Sequence, residues 1–231
     1  MKKTIKTAFV KSLPVMAGYI VLGIGFGILL KNAGYGVFWS FLMGLTIYAG
    51  SMQYVAVSLL TSGASLISVA LTTLMVNARH LFYGISMIHK YKDAGKKKGY
   101  MIFALTDETY SILCSDDTMD GIDENWYRFF LSLFNHCYWV IGCVLGSLAG
   151  TLISFNTAGI EFSMTALFVT VFVEQWLSFT NHLPAILGLV CSIVCRVMFG
   201  ASSFLIPTMI SITVVMLCIK KKVKIGGAEH E

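Results

Sequence analysis

Residues 64–89 read ASLISVALTTLMVNARHLFYGISMIH, and residues 100–115 read YMIFALTDETYSILCS. Both are apolar blocks with charge in the middle: Arg79 and His80 in the first, Asp107 and Glu108 in the second. An ionised side chain at the centre of a bilayer costs about 2.5–3.5 kcal/mol even on lenient insertion scales. Four such groups facing lipid would cost on the order of 10 kcal/mol, so they must face each other, water or a ligand. Side chains held at that cost mark a pathway through a membrane.

The rest of the chain agrees with a membrane setting. Its 231 residues are 56% hydrophobic and only 13% charged, with a mean hydropathy of +0.75. About a quarter of residues are charged in a soluble domain. A hydrocarbon core of about 30 Å takes about 20 apolar residues per helical span. Apolar blocks lie at 14–30, 36–60, 64–89, 99–115, 126–154, 160–179 and 183–219, the last with room for two spans. The fold class expected is an all-α polytopic membrane protein, residues 1–231 forming one transmembrane domain with about seven or eight embedded helical segments. Polar stretches are too short for a separate soluble domain. A cleaved signal peptide is not expected at the N-terminus, because no small-x-small cleavage site follows the first apolar run. No sequence repeat is visible, and an inverted structural repeat, which leaves only faint traces, stays open.

Basic residues gather at block edges, as the positive-inside rule expects, so the net charge of +5 points to no nucleic-acid partner. Lys2, Lys3, Lys6 and Lys11, the loop with Lys90, Lys92, Lys96, Lys97 and Lys98, and the tail 220–224 are expected on the cytoplasmic side. The stretch 116–124 carries Asp116, Asp117, Asp120, Asp123 and Glu124 without a basic residue, and is expected outside. Three simple crossings before Lys90 would put that loop opposite the N-terminus. The parity before Lys90 is restored if block 36–60 enters and leaves by one face, as two half-helices broken at Ala49, Gly50 and Ser51, while two crossings in 183–219 would still put the tail lysines outside. Non-helical backbone at that depth is tolerated only where protein buries it or a cavity needs it.

If 64–89 is one helix, Asn77, His80 and Gly84 share a face and Arg79 points about 100° away from His80. Arg79 keeps its charge and needs a carboxylate, from Asp107, from Glu108 or from a substrate. A buried ion pair that only fixes helix register is the alternative. Two carboxylates against one arginine leave a surplus acidic group able to bind and release a proton, as proton coupling requires. The same groups suit an amino acid, with Arg79 for its carboxylate and Asp107 or Glu108 for its ammonium. Gly50, Ser51 and Gln53 add a polar stripe where half-helix ends could bind charged groups, or where a glycine merely packs. Glu174 and Gln175, near the end of block 160–179, complete the candidate pathway, although Glu174 could equally snorkel to the surface.

Other features carry less. Gly142, Gly146 and Gly150, like Gly23 and Gly27, repeat at a spacing of four and form helix-packing faces. The six cysteines include no Cys-x-x-Cys pair and read as small packing residues. His136 with His80, Asp107 and Glu108 shows no metal-ligand spacing, and Ser111 near Asp107 shows no hydrolase motif. No metal, no cofactor and no enzymatic activity are expected.

The segments Tyr48–Tyr54 (YAGSMQY), Asn77–Gly84 (NARHLFYG), Leu105–Tyr110 (LTDETY) and Val173–Trp176 (VEQW) resemble the AzlC family in order and spacing over nearly the whole chain. That family comprises large subunits of bacterial branched-chain amino-acid exporters linked with azaleucine resistance. The resemblance implies multi-pass insertion in the inner membrane and export of leucine, isoleucine and valine, sometimes methionine. It also implies a small hydrophobic partner of the AzlD type and energy from the proton gradient. Ala78 stands where the family's motif has a proline, which bears on a kink there and leaves the charges unchanged. A passive channel for small solutes, with a structural ion pair, is the competing function class.

Overall fold

Inside lipid a helix satisfies every backbone N–H and C=O within its own segment, which is why the apolar blocks fold as helices. The computed structural model describes residues 1–115, 121–152, 162, 165, 166, 169, 172, 173, 176, 177, 181–200 and 204–219, some of them, Arg79 included, as backbone alone. Among these, every regular element is helical. They fall into two compact units, Met1–Met164 and Thr165–Glu231.

In the first unit two helices, α1 (Lys2–Asn32) and the later Glu124–Leu152, are long and apolar enough to cross a membrane. The lysines at 2, 3, 6 and 11 ride on α1 itself, whose 31 residues span about 46 Å. Shorter helices follow: α2 (Val37–Thr46), α3 (Gly50–Thr61), α4 (Leu66–Val76), α5 (Ala78–Met87), α6 (Lys98–Phe103) and α7 (Asp107–Ser115), and then α8 (Glu124–Leu152). With 10 and 12 residues, α2 and α3 are each about half a membrane long.

The α1 and α8 helices pack side by side in the same direction. Phe9 meets Phe134, Ser12 meets Tyr138, and Lys31 meets Gly150. Between these pairs, backbone touches backbone. A Cβ on Gly23 would come within 2.9 Å of Gly142 Cα. One on Gly27 would strike the Cys143 carbonyl, and one on Gly146 the Ile24 carbonyl. The expected small-residue faces of the two helices are therefore each other's partners, and α8 serves as a depth gauge for the other elements.

By that gauge α2 and α3 form a hairpin entering from the far end, where α1 and α8 finish. Ser40 donates to the Cys143 carbonyl at 2.8 Å, Gly44 lies against Val140, and Tyr48 sits on His136 with ring centroids 4.3 Å apart. The chain then turns back. Gly50 and Gln53 both meet Trp139, and Tyr54 donates to the Leu22 carbonyl and packs on Phe26. The expected hairpin is present, with its break at Ile47–Ala49 rather than 49–51. Tyr48, at φ 43°, takes the left-handed turn. Gly50 instead opens α3 beneath the Trp139 ring, where a Cβ would approach to 3.1 Å. Its missing side chain serves close packing, not unwinding.

The 64–89 block is also broken, against the expectation of one helix. Asn77 ends α4 and precedes α5, and the ladder tightens there: Asn77 N–H bonds the Thr73 carbonyl and His80 N–H bonds the Asn77 carbonyl. Asn favours such junctions because its polar side chain competes with the helix ladder. His80 and Gly84 still share a face of α5, while Asn77 sits at the joint.

The next block breaks in the middle as well. From the near end, α6 climbs so that Tyr100 packs on Phe129 and Phe103 faces His136, 5.8 Å away between centroids. After Ala104–Thr106, α7 descends until Lys90 Nζ donates to the Leu113 carbonyl. Thr106 Oγ1 accepts from Thr109 N at 3.4 Å, the bond of an N-cap, and Asp107 and Glu108 form the acidic first turn that a helix dipole favours. The sequence Thr-Asp-Glu-Thr thus starts a helix where an unbroken span was expected.

Loop 88–98 lies at the near end with the α8 N-terminus. Arg128 donates to the Lys90 carbonyl at 2.7 Å, Asn125 to the Asp93 carbonyl at 3.3 Å, and Lys97 Nζ sits 3.7 Å from the Trp126 ring centre. The N-terminus of α1 and the basic loop therefore share one end, resolving the parity. Asp123 and Glu124 open or precede α8 at that same end, against the expectation for these two carboxylates of the stretch 116–124. Carboxylates contribute little to orientation, and Glu124 is paired with Arg128 one turn on. Residues 116–120 and the tail lie outside the described residues.

In the second unit α9 (Leu183–Phe199) and α10 (Leu205–Ile219) divide block 183–219 at Gly200, φ 76°. They touch at Cys195 and Ser211, 3.7 Å apart, and at Gly188 and Ile212.

Two predictions follow from this packing. Gly146→Ala should lower stability in thermal unfolding by about 1–3 kcal/mol through overpacking, whereas Gly18→Ala, with nothing within 4 Å of the added Cβ, should be neutral or better. In a cysteine-free background, cysteines at Lys2, Lys96 and Asp123 should react with an impermeant thiol reagent from one side of the membrane and a cysteine at Ser62 from the other. Labelling of Ser62 and Lys96 from the same side would disprove the hairpin arrangement.

Candidate functional site

The two hairpin tips, one entering from each end, meet against the middle of α1 and α8. Tyr19 of α1 links them. Its hydroxyl donates to Glu108 Oε2 at 2.6 Å and lies 2.7 Å from Thr106 Oγ1, both on the α6–α7 tip. Its ring packs edge-on to Trp139, 5.5 Å away, and to Tyr48 of the α2–α3 tip, 6.4 Å away. A carboxylate buried between helices needs donors that travel with it, and Tyr19 supplies one from the most rigidly held helix.

The α8 helix presents three polar side chains at the same depth. Asn135 Nδ2 donates to Thr109 Oγ1 at 2.9 Å. His136 Nδ1 pairs with the Tyr100 hydroxyl at 3.0 Å while its ring lies against Tyr48. Trp139 Nε1 donates to Gln53 Oε1 at 2.8 Å. Gln53, Thr109 and Asn135 are fully buried, so this is a polar layer enclosed within the bundle. Thr106 Oγ1 also donates to Thr109 Oγ1 at 3.1 Å, which ties the α6–α7 tip to Asn135 through Thr109.

Of the residues singled out by sequence, the structure gathers Gly50, Ser51, Gln53, Asp107 and Glu108 around this layer. Ser51 is buried in the first turn of α3, and Asp107 and Glu108 are half-buried in the first turn of α7. Asn77 and His80 lie at the α4–α5 joint, where His80 Nδ1 lies 3.2 Å from the Asn77 carbonyl oxygen. Their link to α7 is aromatic: His80 packs edge-on to Tyr83, and Tyr83 stacks on Tyr110 with centroids 4.5 Å apart. The side chain of Arg79, and Glu174 and Gln175 entirely, lie outside the described residues. His136 is held by tyrosines rather than by the carboxylates considered with it for a metal.

Tyr19, Thr109, Asn135 and Trp139 were not singled out for this site by sequence. Asn135 carried a signal, an amide in the middle of block 126–154. Tyr19 and Trp139 carried none, since in an apolar block either reads as core.

The Tyr19–Glu108 bond should be measurable as a coupling. Tyr19→Phe removes a donor from a half-buried carboxylate and should destabilise by about 0.5–1.5 kcal/mol. In a double-mutant cycle with Glu108→Gln, thermal unfolding should give a coupling of at least about 0.5 kcal/mol. Additive losses would mean that the two side chains do not depend on one another.

A family model described as "AzlC protein" matches residues 14–153, which takes in α1 from Pro14 onward, α2 to α8 and both hairpins. The branched-chain amino acid transport protein AzlC of Bacillus subtilis is 41% identical over 216 residues, covering 94% of this chain and 85% of that protein. An uncharacterized membrane protein of Haemophilus influenzae is 45% identical over 212 residues, covering 91% and 87%. The inner membrane protein YgaZ of Escherichia coli is 28% identical over 167 residues, covering 69% and 68%. No solved structure matches. With a family model over more than half of its length and a 41% identical relative over nearly all of it, the chain belongs to the AzlC family.

Proposed function

We propose that this chain is the large subunit of a secondary exporter of branched-chain amino acids in a bacterial inner membrane. It works with a small hydrophobic AzlD-type subunit and is driven by protons. The observation that carries the reading is Glu108: a carboxylate in the first turn of a half-helix, tied to Tyr19, where two opposed hairpins meet. Ionisable groups kept at such depth mark substrate or proton pathways. Half-helices whose termini meet near the midplane are the substrate-binding arrangement of several transporter folds, often as an inverted pair. Hairpins 37–61 and 98–115 have that opposed relation, one from each end. The substrate class is supported by the Bacillus subtilis relative, named as a branched-chain amino acid transport protein. Export, the proton and the small subunit are supported by the family resemblance.

In this mechanism Glu108 exchanges a proton and Asp107 shares the charge at the α7 N-terminus, while the α2–α3 tip contacts substrate. Rocking of one hairpin against the rigid α1–α8 pair opens the layer to either end in turn. A passive facilitator would keep the same network as a structural tie.

The test is efflux of isoleucine from dipeptide-loaded cells lacking their own exporter, with the chain expressed alone and with its small subunit. Uphill efflux that requires the small subunit and collapses with an uncoupler is expected. Glu108→Gln should cut it at least tenfold at unchanged membrane abundance, and Asp107→Asn should weaken it. Downhill-only movement would identify a facilitator, and wild-type efflux by Glu108→Gln would remove the carboxylate from the mechanism.

A further inference from the structure

Gln53 has one half of its amide accounted for. Indole N–H is a donor only, so the bond from Trp139 Nε1 at 2.8 Å fixes Oε1 toward the ring. Nε2, with two hydrogens, then points elsewhere, and it has no hydrogen-bond partner although the residue is 0% exposed. An amide N–H₂ left unpaired in a closed layer costs free energy that a ligand recovers by accepting from it. Gln53 also belongs to the first turns of α3, a 12-residue helix whose leading N–H groups gather at the same tip. The indole that holds Gln53 covers Gly50, the first residue of that helix.

These groups have one polarity. The α3 tip offers an amide N–H₂ and a helix N-terminus, all donors, in a half of the layer without an acidic side chain among the described residues. The facing α7 tip offers the acidic side chains, Asp107 and Glu108. A zwitterion placed between the tips has its ends sorted, ammonium toward α7 and carboxylate toward α3. We propose that Gln53 Nε2 and the first-turn N–H groups of α3 form the subsite for the α-carboxylate of the transported amino acid. The inference rests on the amino-acid exporter reading. It assigns the carboxylate to a neutral amide and a helix terminus rather than to Arg79.

Gln53 is fully buried in this conformation, so the carboxylate enters as the α2–α3 tip moves. Tyr48, at φ 43°, lies at that tip, one residue before Ala49 at the start of α3. A non-glycine residue in the left-handed region stores strain that a change of tip conformation can release.

The experiment is counterflow of labelled isoleucine in proteoliposomes holding the chain with its small subunit, competed by isoleucine, by isoleucinamide and by 2-methylbutylamine, which lacks the carboxyl group. For the wild type, isoleucine should compete and the other two should be at least tenfold weaker. Equal competition by isoleucinamide would overturn the subsite without any variant. Gln53→Glu keeps an acceptor for Trp139 but replaces the N–H₂ with an anion. Isoleucine counterflow should fall at least tenfold and the preference should shift toward isoleucinamide. Gln53→Leu should lose isoleucine without gaining the amide. If correctly folded Gln53→Glu moves isoleucine within twofold of wild type, the subsite is wrong and the exporter reading stands. A folded wild type that moves no branched-chain amino acid removes that reading and the subsite together.

Discussion

Contact between the backbones of α1 and α8 is the constraint on which the first unit depends. Water supplies no hydrophobic driving force between helices in lipid, so close van der Waals approach has to supply it. Gly23 against Gly142 and Gly27 and Ile24 against Gly146 bring the two main chains together so tightly that neither helix can slide or turn. That fixed register brings Tyr19 beside Trp139 and aims its hydroxyl at Glu108. It also puts both helix N-termini at one end, so the acidic and basic segments before Trp126 become neighbours.

Against this rigid pair the polar layer is assembled from helix ends. A carboxylate in the middle of a continuous span would meet the full penalty of burial. In the first turn of α7, Asp107 and Glu108 instead meet the positive end of a helix dipole, with Thr106 as the cap and Tyr19 as an added donor. The α2–α3 tip has the complementary character: a helix N-terminus, Gln53, and no carboxylate among the described residues. Breaking two blocks at mid-depth therefore both lowers the cost of the charges and separates donors from acceptors across a closed layer.

The polar motifs at 48–54, 77–84 and 105–110 each mark a helix break, but the residue that breaks is not always the one a reader would choose. Gly50 reads as the flexible point, yet Tyr48 adopts the left-handed conformation, because the Trp139 ring needs the space over Gly50. Asn77 reads as one face of a long helix and is instead its joint. Thr106 is a residue type favoured at N-caps and is followed by the acidic pair Asp107 and Glu108, and it is hidden only by the apolar residues that flank this short polar run. Tyr19 and Trp139 are invisible as site residues because their polar atoms are small parts of large apolar side chains.

What the sequence determined by itself is what composition and local spacing determine: an all-helical chain for lipid, small-residue faces on α1 and α8, and the motifs at which helices break. Those properties are set within a few turns of chain. Tertiary structure decided which end each loop occupies, that block 36–60 returns to the face it entered, and which polar groups meet. Tyr19 and Glu108 are 89 positions apart and Gln53 and Trp139 86. Only the register imposed by backbone contact between α1 and α8, and the depth at which each hairpin stops against it, puts those partners within a hydrogen bond.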